Sequence, residues 1–219
     1  MFKKFSNKIY IEKPDGTRKR IFPLRGIRGL RIKFSGINST VVIKEPLGKL
    51  KNSRINCGND CYVEIGSSVN MNKVSIFAIV DKSTCIIGDK CTFSGNDLLL
   101  FNAEPNLKIT LGEDCMVAAD VTIRTSDAHA IRDINTNEIL NFGGDVSIGK
   151  HCWITKDVYI LKGVTLADNL VIGTGSIVSK DCMVSNSIYA GIPAKLIKEN
   201  VVWQRETPYK ASQMDILNK

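Results

Sequence analysis

Aliphatic residues recur at every sixth position in the second half of the chain. The series runs without a gap through Ile148, Ile154, Ile160, Leu166, Ile172 and Val178. Four places after each member stands a second small or aliphatic residue: Cys152, Val158, Val164, Leu170, Ser176 and Cys182. An amphipathic α-helix would repeat its apolar positions at three and four residues, and a two-faced strand at every second residue. A spacing of six is typical of a parallel β-helix, in which each hexad supplies one short strand.

Three such strands complete one triangular coil, and the aliphatic side chain of each hexad stacks on its counterparts in the coils above and below. The interior of the prism is then filled, so any ligand has to bind on the outer faces. A cleft forms there most easily where two or three prisms pack together. We therefore expect a homotrimer.

The sixfold pattern divides the chain into three regions. Residues 1–36 are predicted to form a basic N-terminal cap or a first irregular coil. Residues 37–195 carry the repeat, with a predicted loop excursion at 125–145, where the register is lost. Residues 196–219 are predicted to form a C-terminal cap, a helix or an ordered tail, because the open end of a solenoid exposes unpaired strand edges.

Composition narrows the class of protein further. The chain has 219 residues and lacks the run of about 20 apolar residues that crosses a bilayer. Its basic N-terminus is followed by no apolar segment, so we expect no secretory signal and a cytoplasmic location. The seven cysteines are odd in number and form no CxxC pair. Most of them follow an inward aliphatic residue by four places, so we predict small buried corner residues rather than disulfides or metal ligands.

The net charge of +8 is unevenly distributed. Basic residues crowd the N-terminal region: Lys3, Lys4, Lys8, Lys13, Arg18, Lys19, Arg20, Arg25, Arg28, Arg31 and Lys33. Such a surface favours polyanions, which include nucleic acid, acidic polysaccharide and phosphorylated cofactors, although a merely solvated face has the same composition. The sequence contains no zinc-finger, RNP-type or helix-turn-helix pattern, so we expect no nucleic-acid partner.

Several motifs occur in one order along the second half of the chain. They are Val146-Ser-Ile-Gly-Lys-His-Cys-Trp-Ile, Ile160-Leu-Lys-Gly-Val-Thr-Leu-Ala-Asp-Asn, Val171-Ile-Gly-Thr-Gly-Ser-Ile-Val-Ser-Lys-Asp and Tyr189-Ala-Gly-Ile-Pro-Ala-Lys. Together they resemble the hexapeptide-repeat acetyltransferases, and Arg124-Thr-Ser-Asp-Ala-His129 resembles the bacterial sugar and capsule O-acetyltransferases among them. The resemblance implies a left-handed parallel β-helix, a homotrimer, and acetyl transfer from acetyl-CoA to a sugar hydroxyl in a groove between subunits.

The resemblance also assigns the catalytic residues. A sugar hydroxyl needs a base to take its proton as it attacks the thioester, and His129 lies in the polar excursion where a cleft would form. We predict His129 as that base, the alternative being an idle surface histidine. Trp153 follows it by the family's spacing and is predicted to line the active site beside the CoA arm, the alternative being an aromatic residue at a trimer contact. His151 is expected to point outward without a role.

No serine or cysteine stands in a nucleophile motif, so we expect direct attack on acetyl-CoA rather than an acyl-enzyme. With two histidines the chain also lacks the three that the γ-type carbonic anhydrases use for zinc. We therefore expect no metal.

The resemblance places a further set of residues along the CoA path. They are Lys156, Thr174, Ser179, Lys180, Lys195 and Lys198. Lysine side chains suit the CoA phosphates because they are mobile point charges. Thr155 stands where the family commonly has glycine, and this departure is expected to narrow the groove.

The sequence therefore predicts an acetyl-CoA-dependent O-acetyltransferase. Its expected acceptor is a surface polysaccharide or the sugar precursor of one. The polysaccharide is either a capsule, of which a sialic-acid polymer is one candidate, or lipopolysaccharide. One alternative is N-acetylation of an amino sugar or a nucleotide-linked amino sugar, and another is acetylation of a small antibiotic. A third is a catalytically inactive assembly module, which the presence of both His129 and Trp153 disfavours.

Overall fold

The chain winds into a parallel β-helix with three flat faces. The computed structural model describes residues 6–21, 26–95, 98–102 and 104–217. Lys3, Lys4 and Arg25 of the basic N-terminal region lie outside the described residues. None of the helical segments in these ranges is long and apolar enough to cross a membrane.

Each face is one sheet of stacked strands. Face A comprises β1 (Lys8–Glu12), β2 (Arg18–Ile21), β4 (Thr40–Lys44), β7 (Tyr62–Ile65), β10 (Thr84–Ile87), β13 (Lys108–Leu111), β16 (Val146–Ile148) and β19 (Thr165–Leu166). Face B comprises β3 (Leu30–Phe34), β6 (Ser53–Cys57), β9 (Val74–Ala78), β12 (Leu98–Asn102), β15 (Thr122–Arg124), β18 (Tyr159–Ile160) and β21 (Ile177–Val178). Face C comprises β5 (Leu50–Lys51), β8 (Asn70–Asn72), β11 (Thr92–Phe93), β14 (Met116–Val117), β17 (Trp153–Ile154), β20 (Leu170–Ile172), β22 (Ser187–Gly191) and β23 (Ala194–Lys198).

The hexad aliphatics form the core of the prism. Ile148 on β16 is the register partner of Leu111 below it and of Leu166 above it. All six aliphatics of the gapless series are buried, as are the six residues four places after them. Complete burial of one such aliphatic side chain stabilises the fold by about 1.5–3 kcal/mol. The sixfold spacing therefore predicts the fold correctly.

Tight corners join the faces, and they use a left-handed backbone conformation. At the corner between faces B and A, Asn38, Asp60, Lys82 and Asn106 on successive coils all have positive φ. Asparagine and aspartate adopt this conformation more readily than other residues with a side chain, which explains their frequency at these points. The cysteines are buried free thiols, as predicted. Cys152 is one example, and its thiol donates to the carbonyl of Ala167 over 3.2 Å.

At each end of the prism, one face is extended by an antiparallel strand. At the N-terminus β1 pairs with β2 in antiparallel fashion and with β4 in parallel, and β3 pairs in parallel with β6. The described part of the stretch 1–36 thus contributes β1 and β3 as parallel strands of the solenoid and β2 as the antiparallel strand at its end. At the C-terminus β22 and β23 form an antiparallel hairpin at the edge of face C, and the helix α1 (Pro208–Leu217) follows.

The chain leaves the prism after β15 and returns at β16, so the excursion projects from the corner between faces B and A. A short hairpin lies within it. Arg132 and Ile139 form an antiparallel bridge, and the amide of Leu140 donates to the carbonyl of Ile131 over 2.8 Å. This loop carries His129.

Candidate active site

His129 is exposed on the excursion loop and lines a cavity of about 210 Å³. Glu104, Ile139, Asn141 and Phe142 contribute to the same cavity. The imidazole is therefore accessible to a ligand at a recess with both apolar and polar walls. A general base has to be accessible to its substrate in this way.

A polar network fixes the backbone next to His129. The side-chain amide of Asn141 donates to the carbonyl of His129 over 2.8 Å and to a carboxylate oxygen of Asp127 over 3.0 Å. The ammonium group of Lys162 donates to the Asn141 carbonyl over 2.8 Å and also pairs with Asp127. The hydrogen bond from Lys162, supported by that from Asn141, lowers the pKa of the Asp127 carboxyl. The loop is therefore held to the coil that carries Lys162.

A second anchor holds the two ends of the loop together. One carboxylate oxygen of Glu104 accepts a hydrogen bond from the hydroxyl of Ser126, and the other accepts one from the amide of Gly143 over 3.0 Å. Arg124 donates to the carbonyl of Ser126 over 2.8 Å. Sequence reasoning missed Glu104, because it lies one coil earlier and outside the periodic pattern. Its bonds to Ser126 and Gly143 and its place in the same cavity make it part of the site.

Trp153 lies at the start of β17 and is half-buried. Its indole is 6.0 Å from the ring of Trp203, at an interplanar angle of 42°. Trp203 stacks on His151, with 4.2 Å between ring centroids and an angle of 12°. The indole nitrogen of Trp203 donates to the His151 carbonyl over 2.7 Å. His151 thus points outward as expected, and a C-terminal residue covers it.

Residues 201–206, the C-terminal strap, are bound across several coils of the prism. Arg205 pairs with Asp114 over 2.7 Å and donates to the hydroxyl of Thr92 over 2.8 Å. A ring nitrogen of His151 also contacts the Asp114 carboxylate, at 2.7 Å. Burial acts to raise the pKa of Asp114, but the hydrogen bonds from Arg205 and His151 outweigh it and hold that pKa below its usual range. The strap therefore fixes the surroundings of Trp153.

One copy of the chain does not bring His129 and Trp153 to the same corner. The loop of His129 leaves the prism between faces B and A, whereas Trp153 follows the corner between faces A and C. Face A, represented here by β16, separates the two.

The predicted CoA residues lie at two corners of the prism and on β23. Lys156 and Thr174 lie on successive coils at the corner between faces C and B, and Lys195 and Lys198 lie exposed on β23. Ser179 and Lys180 lie exposed at the corner between faces B and A, on the side of the His129 loop.

The side chains of Lys156 and Thr174 contact other side chains in the structure. Lys156 pairs with Asp157 over 3.2 Å and with Asp120 over 3.5 Å. A CoA phosphate that bound Lys156 would therefore take the place of these two carboxylates. The Thr174 hydroxyl donates to that of Thr155 over 3.2 Å. The buried Thr155 hydroxyl donates in turn to the carbonyl of Ile172 over 2.6 Å, which directs it toward the backbone.

Cys152 stands beside Trp153 but is unsuited to nucleophilic attack. Its side chain is buried in the corner of the prism. A hydrogen bond with Cys115 and burial both raise the pKa of the Cys152 thiol. Because the thiolate is the attacking species, this cysteine does not supply an acyl-enzyme route.

Comparison with known proteins gives a consistent set of relatives. No family model matches the chain. The polysialic acid O-acetyltransferase of Neisseria meningitidis is 33% identical over 168 residues, which are 71% of this chain and 77% of that protein. The polysialic acid O-acetyltransferase of Escherichia coli O1:K1 / APEC is 39% identical over 97 residues, which are 44% of this chain but only 31% of that protein.

The solved structure of the polySia-specific acetyltransferase NeuO superimposes with a TM-score of 0.77 and 29% identity, and the match covers 93% of this chain and 80% of that one. The structural neighbours are left-handed β-helices, so the chain is a left-handed parallel β-helix.

Proposed function

The chain belongs to the hexapeptide-repeat sugar O-acetyltransferases, and on that premise we propose that it acetylates a hydroxyl of an anionic surface polysaccharide, with His129 as general base. The observation that carries the proposal is the exposed imidazole of His129 beside a cavity, on a loop fixed by Glu104 and Lys162. The net charge of +8 supports an anionic acceptor. A polymer that contains sialic acid is the acceptor class that the named relatives favour.

His129 performs the proton transfer of the proposed reaction. Its imidazole accepts the proton of the acceptor hydroxyl while the oxygen forms a bond to the acetyl carbonyl carbon and the bond from that carbon to sulfur breaks. The sulfur then receives the proton, so the products are an acetyl ester and CoA. Acetyl-CoA supplies the activated acetyl group, and the step uses no metal ion. The reaction belongs in the cytoplasm, where acetyl-CoA is made.

The site is completed by a second copy of the chain. In the proposed homotrimer the His129 loop of one copy meets the Trp153 corner of the next. The loop exposes large apolar side chains that such a contact would bury: Ile131, Ile134, Leu140 and Phe142. Ile134 is 95% exposed and Phe142 is 68% exposed. Apolar residues clustered in this way are typical of interfaces.

Acetyl-CoA then lies between residues of two copies. Trp153 contacts the pantetheine arm at the corner between faces A and C. Lys156 and Thr174 line the path at the corner between faces C and B, and Lys195 and Lys198 line it on β23. Ser179 and Lys180 approach from the corner of the neighbouring copy that also carries His129. The lysines attract the phosphates, and Lys156 exchanges its contacts with Asp120 and Asp157 for a phosphate oxygen.

An acceptor panel tests the proposed function. Thiol release from acetyl-CoA is measured with polysialic acid, neutral capsule glycans, lipopolysaccharide glycans and amino sugars. We expect turnover on polysialic acid, with a product that loses its acetyl group in mild base, as an ester does and an amide does not. Turnover confined to amines would instead assign N-acetylation. No turnover on any acceptor, with no CoA binding by calorimetry, would leave an assembly module.

A further inference from the structure

The basic N-terminal region contributes a charged cleft at the lower end of face B. Arg31 on β3 and Arg54 on β6 are register partners on adjacent coils, and both side chains are exposed. With Asn52 and Ser53 they line a cleft of about 430 Å³. Among the described residues, the lining contains no carboxylate that would neutralise the two guanidinium groups. Such a cleft attracts anions.

The Arg54 guanidinium is held in a defined orientation. Its Nε donates to the hydroxyl of Ser75 over 2.8 Å, and the group lies 5.2 Å from the centre of the Phe77 ring. A cation–π contact and a hydrogen bond together restrict the side chain. The terminal nitrogens of an arginine have the fork geometry that binds a carboxylate in bidentate fashion. Arg54 is therefore preorganised for a carboxylate, unlike a mobile surface lysine.

A row of register partners that begins two residues after Arg31 on β3 runs beside this cleft toward the His129 loop. On the outer surface of face B the row passes through Lys33, Asn56, Phe77, Phe101 and Arg124. Arg124 is the last residue of β15, and the loop leaves the prism directly after it. Successive strands in a sheet lie about 4.8 Å apart, so the four steps from β3 to β15 span roughly 19 Å. A linear glycan of several sugar residues covers that distance.

We propose that the cleft of Arg31 and Arg54 is an accessory site for the carboxylates of an anionic linear glycan whose reacting hydroxyl lies at His129. The proposal rests on the proposed function, and it assigns a role to the basic N-terminal coils. It implies that the enzyme prefers long acceptors, because a single sugar at His129 does not reach the cleft. The preference should weaken as salt screens the guanidinium groups.

The test compares two double variants of equal charge. Arg31→Gln with Arg54→Gln removes the cleft cations, and Lys13→Gln with Lys19→Gln removes two exposed cations at the β1–β2 hairpin on face A. We expect the cleft variant to raise KM for polysialic acid roughly tenfold with kcat unchanged, because hydrogen bonds to charged groups are the strong ones. Its kinetics on a sialic acid monomer should match wild type, and the control variant should match wild type on both acceptors.

Equal effects of the two double variants on the polymer would show that only net charge matters and would overturn the proposal. An unchanged KM for the polymer in the cleft variant would overturn it as well.

Calorimetry with polysialic acid and the His129→Ala protein separates this proposal from the proposed function. Binding that depends on Arg31 and Arg54 supports the cleft even where wild type shows no turnover. If the wild-type enzyme turns over but polysialic acid binding does not depend on Arg31 and Arg54, the accessory site is rejected and the proposed function stands. The variant Arg54→Lys, which keeps the charge, should show an intermediate KM.

Discussion

Replacement of His129 by alanine is expected to lower kcat for acetyl transfer by about 10²- to 10⁴-fold, the range that general bases contribute. The side chain is exposed, and His129 joins the polar network through its backbone carbonyl, which accepts a hydrogen bond from Asn141. The alanine variant should therefore fold as wild type does. Steady-state thiol release with polysialic acid measures the loss, and the melting temperature checks the fold.

Asn135→Ala is the matched control for this variant. Asn135 is exposed on the same loop, away from the cavity that His129 lines. We expect its kcat to lie within about twofold of wild type, since surface substitutions of this kind have small effects. A His129→Ala protein that retains kcat within a few-fold of wild type would remove His129 from the mechanism.

Replacement of Trp203 by alanine is expected to lower the free energy of unfolding by about 3–5 kcal/mol, the range for a buried tryptophan. The residue is 6% exposed, stacks on His151 and carries the guanidinium of Arg205 at 5.7 Å from its ring. Loss of the indole leaves a cavity beneath the C-terminal strap, and the strap should detach from Trp153. Thermal unfolding should show a melting temperature lower by roughly 10 °C, on the usual scale for a chain of this size.

Fluorescence reports the same event locally, because the chain has two tryptophans. In the Trp203→Ala protein all tryptophan emission comes from Trp153, and it should shift to the red as the indole becomes hydrated. The control is Val202→Ala, because the Val202 side chain is 70% exposed. Its melting temperature should equal that of wild type. If the Trp203→Ala protein has the melting temperature of wild type and its Trp153 emission is not shifted, the strap does not stabilise this region.

The fold was accessible to sequence reasoning because a solenoid is nearly one-dimensional. Each strand contacts its neighbours one coil away, so the same six-residue spacing that buries Ile148 also buries Ile160 and Ile172. Loss of that spacing after Arg124 marks the point where the chain leaves the prism. The family motifs supplied His129 and Trp153, and the structure places both on the outer surface, at different corners.

The strap and the loop anchors were not accessible, because their contacts follow no period. Arg205 reaches Asp114 across 91 residues, and Trp203 reaches His151 across 52. Glu104 reaches Gly143 across 39 residues. Such contacts depend on where an irregular segment folds back onto the prism. The basic composition of the N-terminal coils likewise obscured β3, where buried Leu30 alternates with outward Arg31 and Lys33.

Subunit complementation tests most directly that acetyl transfer occurs in a site shared by two copies. His129→Ala and Trp153→Ala chains with different affinity tags are co-expressed in equal amounts, and the mixed assemblies are assayed on polysialic acid. If each site takes His129 from one copy and Trp153 from the next, every mixed cyclic trimer has one intact site of three, so the mixed assemblies should show about a third of wild-type activity. Activity no higher than the average of the two separate variants would contradict the account, because it would place both residues in sites built by single chains.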